Sequence, residues 1–246
     1  MKRIVDYFLS TIYFIFFGFF LLIFHPIQLA AFHIWGPKAH QITVHWLNFF
    51  LLKFLIITGA NIKFSQKGKI PSDRPIILVS NHQSMFDIIG IIWFLRKYNP
   101  IFVSKIELSK GIPSISLNLR LSGAALINRK DSRQAIPEIA RMAKTALERG
   151  FSPSIFPEGT RSKTDQIKPF AIGGLAVLLK YTKNAVIVPI AIKGNNKLNP
   201  KGFFPFVSFT NVNFTALPVV EPSLYSNEEL IILLESQIRD ENSTTK

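Results

Sequence analysis

The run Asn81-His82-Gln83-Ser84-Met85-Phe86-Asp87 holds the pair of residues best suited to acid–base chemistry. Ser84, followed three residues later by an acid, reads as a helix N-cap with an acid in the first turn. His82 then lies on the loop just before the helix, and Asp87 reaches back toward it from the first turn. Inside one helix, five residues apart, they would face ~140° away from each other, but across a helix start they can meet. A carboxylate on one imidazole nitrogen sets the tautomer and leaves the other nitrogen free to accept a proton. The bland alternative is a loop histidine beside a capping aspartate.

A second run, Phe156-Pro157-Glu158-Gly159-Thr160-Arg161-Ser162, combines a glycine that permits a tight turn with a guanidinium fork suited to phosphate. Its alternative is a surface turn with a solvated Glu158–Arg161 pair. A third run, Gly123 to Arg129, reads as a strand ending in a cation. The fourth, Val188-Pro189-Ile190-Ala191-Ile192, is an apolar strand containing a proline.

These runs need elements to hold them. After Gly59, short β-rich segments alternate with helical periods, predicting an α/β fold with a central, mostly parallel sheet flanked by helices. Strands are expected over 61–65, 75–80, 101–104, 124–128, 152–156, 185–192 and 212–216. Helices are expected over 85–97, 115–121, 132–148, 173–181 and 227–239. The first two chemical runs each follow a strand directly. Open α/β sheets bind ligands at the carboxyl ends of their strands, so both should share one rim.

The chain has 246 residues, 29 Lys plus Arg against 15 Asp plus Glu, and no cysteine. The absence of cysteine excludes disulfides, thiolate metal sites and a cysteine nucleophile. A hydrophobic content of 48% excludes a disordered chain. The apolar excess is concentrated at the start, where residues 1–60 hold 11 of the 23 phenylalanines and no charge falls between Tyr7 and Pro37. One apolar helix should run from Tyr7 to Phe24 and stop at His25-Pro26, and a second should cover 42–57. A signal peptide also begins with basic residues such as Lys2 and Arg3, but no small-residue cleavage site stands out beyond Ala30-Ala31. Residues 1–58 therefore read as a membrane-anchoring two-helix segment, and 59–246 as the catalytic domain. Lys2 and Arg3, and the basic body from Lys63 onward, favour the cytoplasmic side, which a hairpin satisfies whether it spans the bilayer or dips into one leaflet. The positive charge is spread without nucleic-acid motifs, so an anionic leaflet suits it better than nucleic acid.

In their order and spacing the four runs resemble the glycerolipid acyltransferases, 1-acylglycerol-3-phosphate acyltransferases in particular. That family shows NHxSxxD, a strand ending in Arg, FPEGTRS and VPxxI, over about residues 60–195 here. The resemblance implies acyl transfer from a thioester, acyl-CoA or acyl carrier protein, to the sn-2 hydroxyl of lysophosphatidic acid at a phospholipid bilayer, giving phosphatidic acid. It implies His82 as general base, oriented by Asp87. It also implies Glu158, Gly159, Thr160 and Arg161 as the acceptor phosphate site, with Arg129 and Lys105 as further contacts. A thioester already has a good leaving group, so no cofactor or metal is called for. A sister enzyme for another lysolipid or for glycerol 3-phosphate, or a non-catalytic membrane scaffold, would share much of this pattern.

Overall fold

A computed structural model describes residues 1–128 and 131–244. Seven strands form one sheet: β1 (Asn61–Gln66), β2 (Ile76–Ser80), β3 (Pro100–Lys105), β4 (Ala125–Ile127), β5 (Ser152–Ile155), β6 (Val186–Lys193) and β7 (Asn211–Ala216). Their spatial order is β1-β7-β6-β2-β5-β3-β4. Neighbours run parallel except β6 and β7, so β1 and β7 point against the other five. All seven expected strands are present within two residues of their expected ends.

The helices are α1 (Lys2–Trp35), α2 (Pro37–Phe54), α3 (Phe86–Phe94), α4 (Ile115–Leu121), α5 (Ser132–Arg149), α6 (Ile172–Tyr181), α7 (Asn195–Leu198) and α8 (Asn227–Thr244). Helix α3 is shorter than expected, because its last turn tightens into a 3-10 turn at Arg96–Tyr98. The short α7 has no expected counterpart. β2 is buried along its whole length, and its side chains alternate between the two faces of the sheet. Ile76 and Leu78 join a cluster with Phe17 and Phe24 of α1, Leu47 and Leu51 of α2 and Ile89 of α3. Ile77 and Val79 join a second cluster with Ala143 of α5, Leu175 of α6 and Leu234 of α8. Residues 1–58 thus share one apolar core with the sheet.

The expected stop at Pro26 is overturned, for α1 continues through it to Trp35. Proline removes one i→i−4 hydrogen bond. Here Phe24, Gln28 and Ala31 extend the stripe already buried by Tyr13, Phe17 and Leu21, and that packing carries the helix across the gap. The break comes at Gly36, where φ is +84° and Pro37 starts the next helix.

Chain direction brings the carboxyl ends of β6, β2, β5, β3 and β4 to one rim. At the end of β6, Gly194 has φ +94°, and a β-carbon there would lie 2.1 Å from the carbonyl oxygen of Asn211. Only glycine fits the turn into α7. Gly194→Ala is therefore expected to cost roughly 2 kcal/mol or more, lowering the melting temperature by about 4–8 °C in a thermal unfolding scan.

Candidate active site

Three loops at this rim, those following β6, β2 and β5, are tied together around His82. His82 Nδ1 lies 2.8 Å from Asp87 Oδ2. The same oxygen accepts the backbone N–H groups of Gln83 at 2.6 Å and Ser84 at 2.8 Å. Oδ1 accepts the side-chain amide of Asn195 at 2.7 Å. Asp87 is fully buried, and these donors occupy both of its oxygens. Because the carboxylate accepts, Nδ1 carries the imidazole proton and Nε2 carries the lone pair. The expected helix start is thus present in modified form: Asp87 binds the loop and the imidazole together, and Ser84 Oγ accepts from Phe86 N at 3.3 Å.

The His82 ring is held on one face from the β5 side. It stacks on Phe156 with centroids 4.1 Å apart and planes at 16°, and Phe156 stacks in turn on Phe102 at 5.8 Å. His82 is buried except for 8% of its surface. Its carbonyl accepts Ser162 N at 2.7 Å, which joins the β2 and β5 loops.

Glu158 lies beneath this junction. Its Oε1 accepts His82 N at 2.6 Å and its Oε2 accepts Lys168 N at 3.0 Å. Both carboxylate oxygens therefore face backbone. Burial pushes the Glu158 carboxyl above its ordinary value, partly offset by the two amide donors and the charge of Lys168. Gly159 supplies the turn with φ +67°, and the side chains of Thr160 and Arg161 emerge from it into solvent. Lys105 is exposed at the end of β3, two strands from β2. Arg129 lies outside the described residues.

Three contributors escaped the sequence reading. Asn195 was missed because the fourth run was followed only to Ile192; extending it to Gly194-Asn195 at a strand's carboxyl end would have flagged it. Gln83 closes the network, its side-chain oxygen accepting Asn195 N at 3.0 Å. Asn81 pairs its amide with both backbone groups of Ile192, at 2.8 Å each, which ties the β2 loop to β6. Sequence separations of 111 and 112 residues hide these bonds from any local pattern.

The arrangement offers an oriented imidazole with a basic nitrogen beside an exposed arginine loop. A family model described as Acyltransferase matches residues 61–193, more than half of the chain and all four runs. The chain belongs to the acyltransferase family. Among its relatives, a chloroplastic 1-acyl-sn-glycerol-3-phosphate acyltransferase of Brassica napus is 34% identical over 131 residues, covering 53% of this chain and 36% of that protein. Another from Arabidopsis thaliana is 30% identical over 194 residues, 78% of this chain and 49% of that protein. The chain thus spans half or less of the length of these two relatives. The crystal structure of the 1-acyl-sn-glycerophosphate (LPA) acyltransferase PlsC from Thermotoga maritima shares the fold. It has a TM-score of 0.80 and 24% identity, over 99% of this chain and 97% of that one.

Glu158 gives a test of how the acyltransferase loop is held. Glutamine keeps one acceptor oxygen but turns an N–H toward one of the two backbone donors. Glu158→Gln is expected to cost ~1–3 kcal/mol in denaturant unfolding, because one buried donor loses its partner. The sign of the pH effect follows from the raised folded pKa: wild-type stability includes a loss as pH rises from 4.5 through that value, and the variant lacks it.

Proposed function

We propose that this protein is a membrane-bound 1-acylglycerol-3-phosphate acyltransferase. It transfers an acyl group from acyl-CoA or acyl carrier protein to the sn-2 hydroxyl of lysophosphatidic acid. The observation that carries this reading is the 2.8 Å contact of His82 Nδ1 with a fully buried Asp87, inside the family's motif. A non-catalytic scaffold would have no need of a buried carboxylate saturated by four donors.

In this mechanism His82 Nε2 takes the proton of the acceptor hydroxyl as its oxygen attacks the thioester carbonyl. The tetrahedral intermediate collapses by breaking the C–S bond, and the imidazolium returns the proton to the departing thiolate. Asp87 stabilises the imidazolium and keeps the ring from turning. Arg161, with Thr160, Gly159, Lys105 and Arg129, receives the acceptor's phosphate, the guanidinium binding two oxygens at once. Glu158 serves that site indirectly, by holding the His82 and Lys168 backbones. A cavity of about 140 Å³ lined by Met85, Ile88, Phe102, Ile112 and Leu119 lies among α1–α4 and β3, and its mostly apolar walls suit part of an acyl chain.

The membrane reading rests on α1. One stripe is pinned to the body: Asp6 accepts Ser208 N at 2.8 Å, Ser10 accepts Phe206 N at 2.9 Å, and His25 accepts Ser114 N at 2.9 Å. Between residues 6 and 25 that is roughly 28 Å of helix, close to the ~30 Å of a hydrocarbon core. A spanning helix would drag the charged body through the bilayer. The opposite stripe exposes Ile4, Phe8, Ile15, Phe19 and Leu22. The helices therefore dip into one leaflet, and the basic body together with Lys2 and Arg3 favours the cytoplasmic face.

Two measurements test the assignment. In an acyl-transfer assay with labelled acyl-CoA or acyl carrier protein, wild type is expected to convert lysophosphatidic acid to phosphatidic acid, and His82→Ala to lose ~10²–10⁴-fold in turnover. Activity within a few-fold of wild type would remove His82 as the base. Arg161→Lys keeps the charge but loses the fork, so the KM for lysophosphatidic acid should rise with little change for the donor. Small, equal effects on both substrates would leave Arg161 a solvated surface residue.

A further inference from the structure

The exposed stripe of α1 has different neighbours on its two sides. At ~100° per residue, Phe16 and Phe20 flank it on one side. There they meet Phe54 and Phe50 of α2, with ring centroids 4.6 and 4.9 Å apart. Tyr7 and Phe14 flank it on the other. They meet Phe204 at 5.5 Å and Phe203 at 4.6 Å, from the segment that joins α7 to β7.

That segment, Lys201-Gly202-Phe203-Phe204-Pro205-Phe206-Val207-Ser208-Phe209, is fastened to α1 and cannot swing away from it. Phe206 is 1% exposed and its N–H bonds to Ser10, while Ser208 bonds to Asp6 through both its N–H and its hydroxyl. Yet 53% of Phe203 and 70% of Phe209 lie in solvent. Phe209 also adopts φ +60°, a left-handed conformation that is strained for a bulky residue. Burial of its ring does not repay that strain. Phe209 N bonds to Thr58 O at 3.0 Å, and one side of its ring lies against Gly59. Lys201 is exposed at the start of the segment.

We propose that residues 201–209 are a second lipid contact, carried by the catalytic body, whose occupant is the surface of an anionic phospholipid bilayer. The proposal rests on the membrane reading of α1 given above. Phe203 and Phe209 enter the boundary between headgroups and acyl chains, and Lys201 stays among the headgroup phosphates. Two features select this occupant. The segment continues the exposed apolar stripe of α1 on the flank that α2 leaves open, and its lysine, like Lys2 and Arg3 at the start of α1, carries the charge an anionic leaflet attracts. The body would then be seated on both flanks of α1, which fixes its tilt on the membrane.

The chain has no cysteine, so one introduced thiol carries one probe. Full-length Phe19→Cys, Phe203→Cys, Phe209→Cys and Lys180→Cys are each labelled with an environment-sensitive fluorophore. They are mixed with phosphatidylcholine–phosphatidylglycerol vesicles, with and without brominated acyl chains. Quenching by bromine is expected at positions 19, 203 and 209 and not at 180, which lies on α6 across the sheet. A double variant, Phe203→Ser with Phe209→Ser, should partition onto the vesicles about tenfold or more weaker, as loss of buried aromatic area demands. Quenching at 19 alone overturns the proposal while leaving α1 as the membrane face. Quenching at none of the three overturns both. A signal at 203 that follows protein concentration and ignores lipid also overturns it, and assigns the patch to a second copy of the chain.

Discussion

A carboxylate with no access to water must find its hydrogen bonds within the protein, and Asp87 is such a group. Leaving a buried charge unpaired is prohibitive. Its four donors come from the β2 loop and from the turn after β6, so satisfying one side chain fixes the relative position of two strands' ends. The constraint passes outward from there. Asn195 reaches Asp87 only because Gly194 turns the chain, and His82 holds its orientation between Asp87 and the Phe156 ring. Activation of the imidazole and closure of the rim follow from one electrostatic requirement.

Glu158 repeats this logic on the other side of His82. Its two oxygens bind backbone from the β2 loop and from Lys168. The cost of burying it shows in its raised pKa, and what that cost secures is a fixed distance between His82 and the arginine loop. Buried acids thus flank the histidine from both neighbouring loops, one in contact with its ring and the other with its backbone. Arg161 by contrast stays at the surface, hydrated and free to meet the phosphate that the proposed reaction requires.

The N-terminal helices follow a different physics. Their outward face is apolar and exposed, as a lipid-facing surface would be, and their inward face is held by a few polar bonds to loops of the body. The buried sides of α1 and α2 pack with β2, the strand that leads into the His82 loop, in one cluster. The exposed apolar face of α1 and the loop bearing His82 are in this way parts of a single arrangement.

Local chemistry made much of this legible from sequence alone. Strand and helix periods are set by which neighbouring residues are apolar, so the seven strands of the sheet could be read, as could the meeting of His82 and Asp87 across a helix start. The rim position of the FPEGTRS run followed from the rule for parallel sheets. Only the tertiary structure decided the rest. Glu158 reads as a substrate contact when only its neighbours are known, and its commitment to two backbone amides depends on a loop 76 residues away. Asn195 sits 108 residues from the carboxylate it serves. Pro26 predicts a break by local rules, and packing on either side of it overrides them. Sequence determines what each segment prefers by itself; buried polar groups choose their partners across the fold, and those choices appear only once the chain has closed.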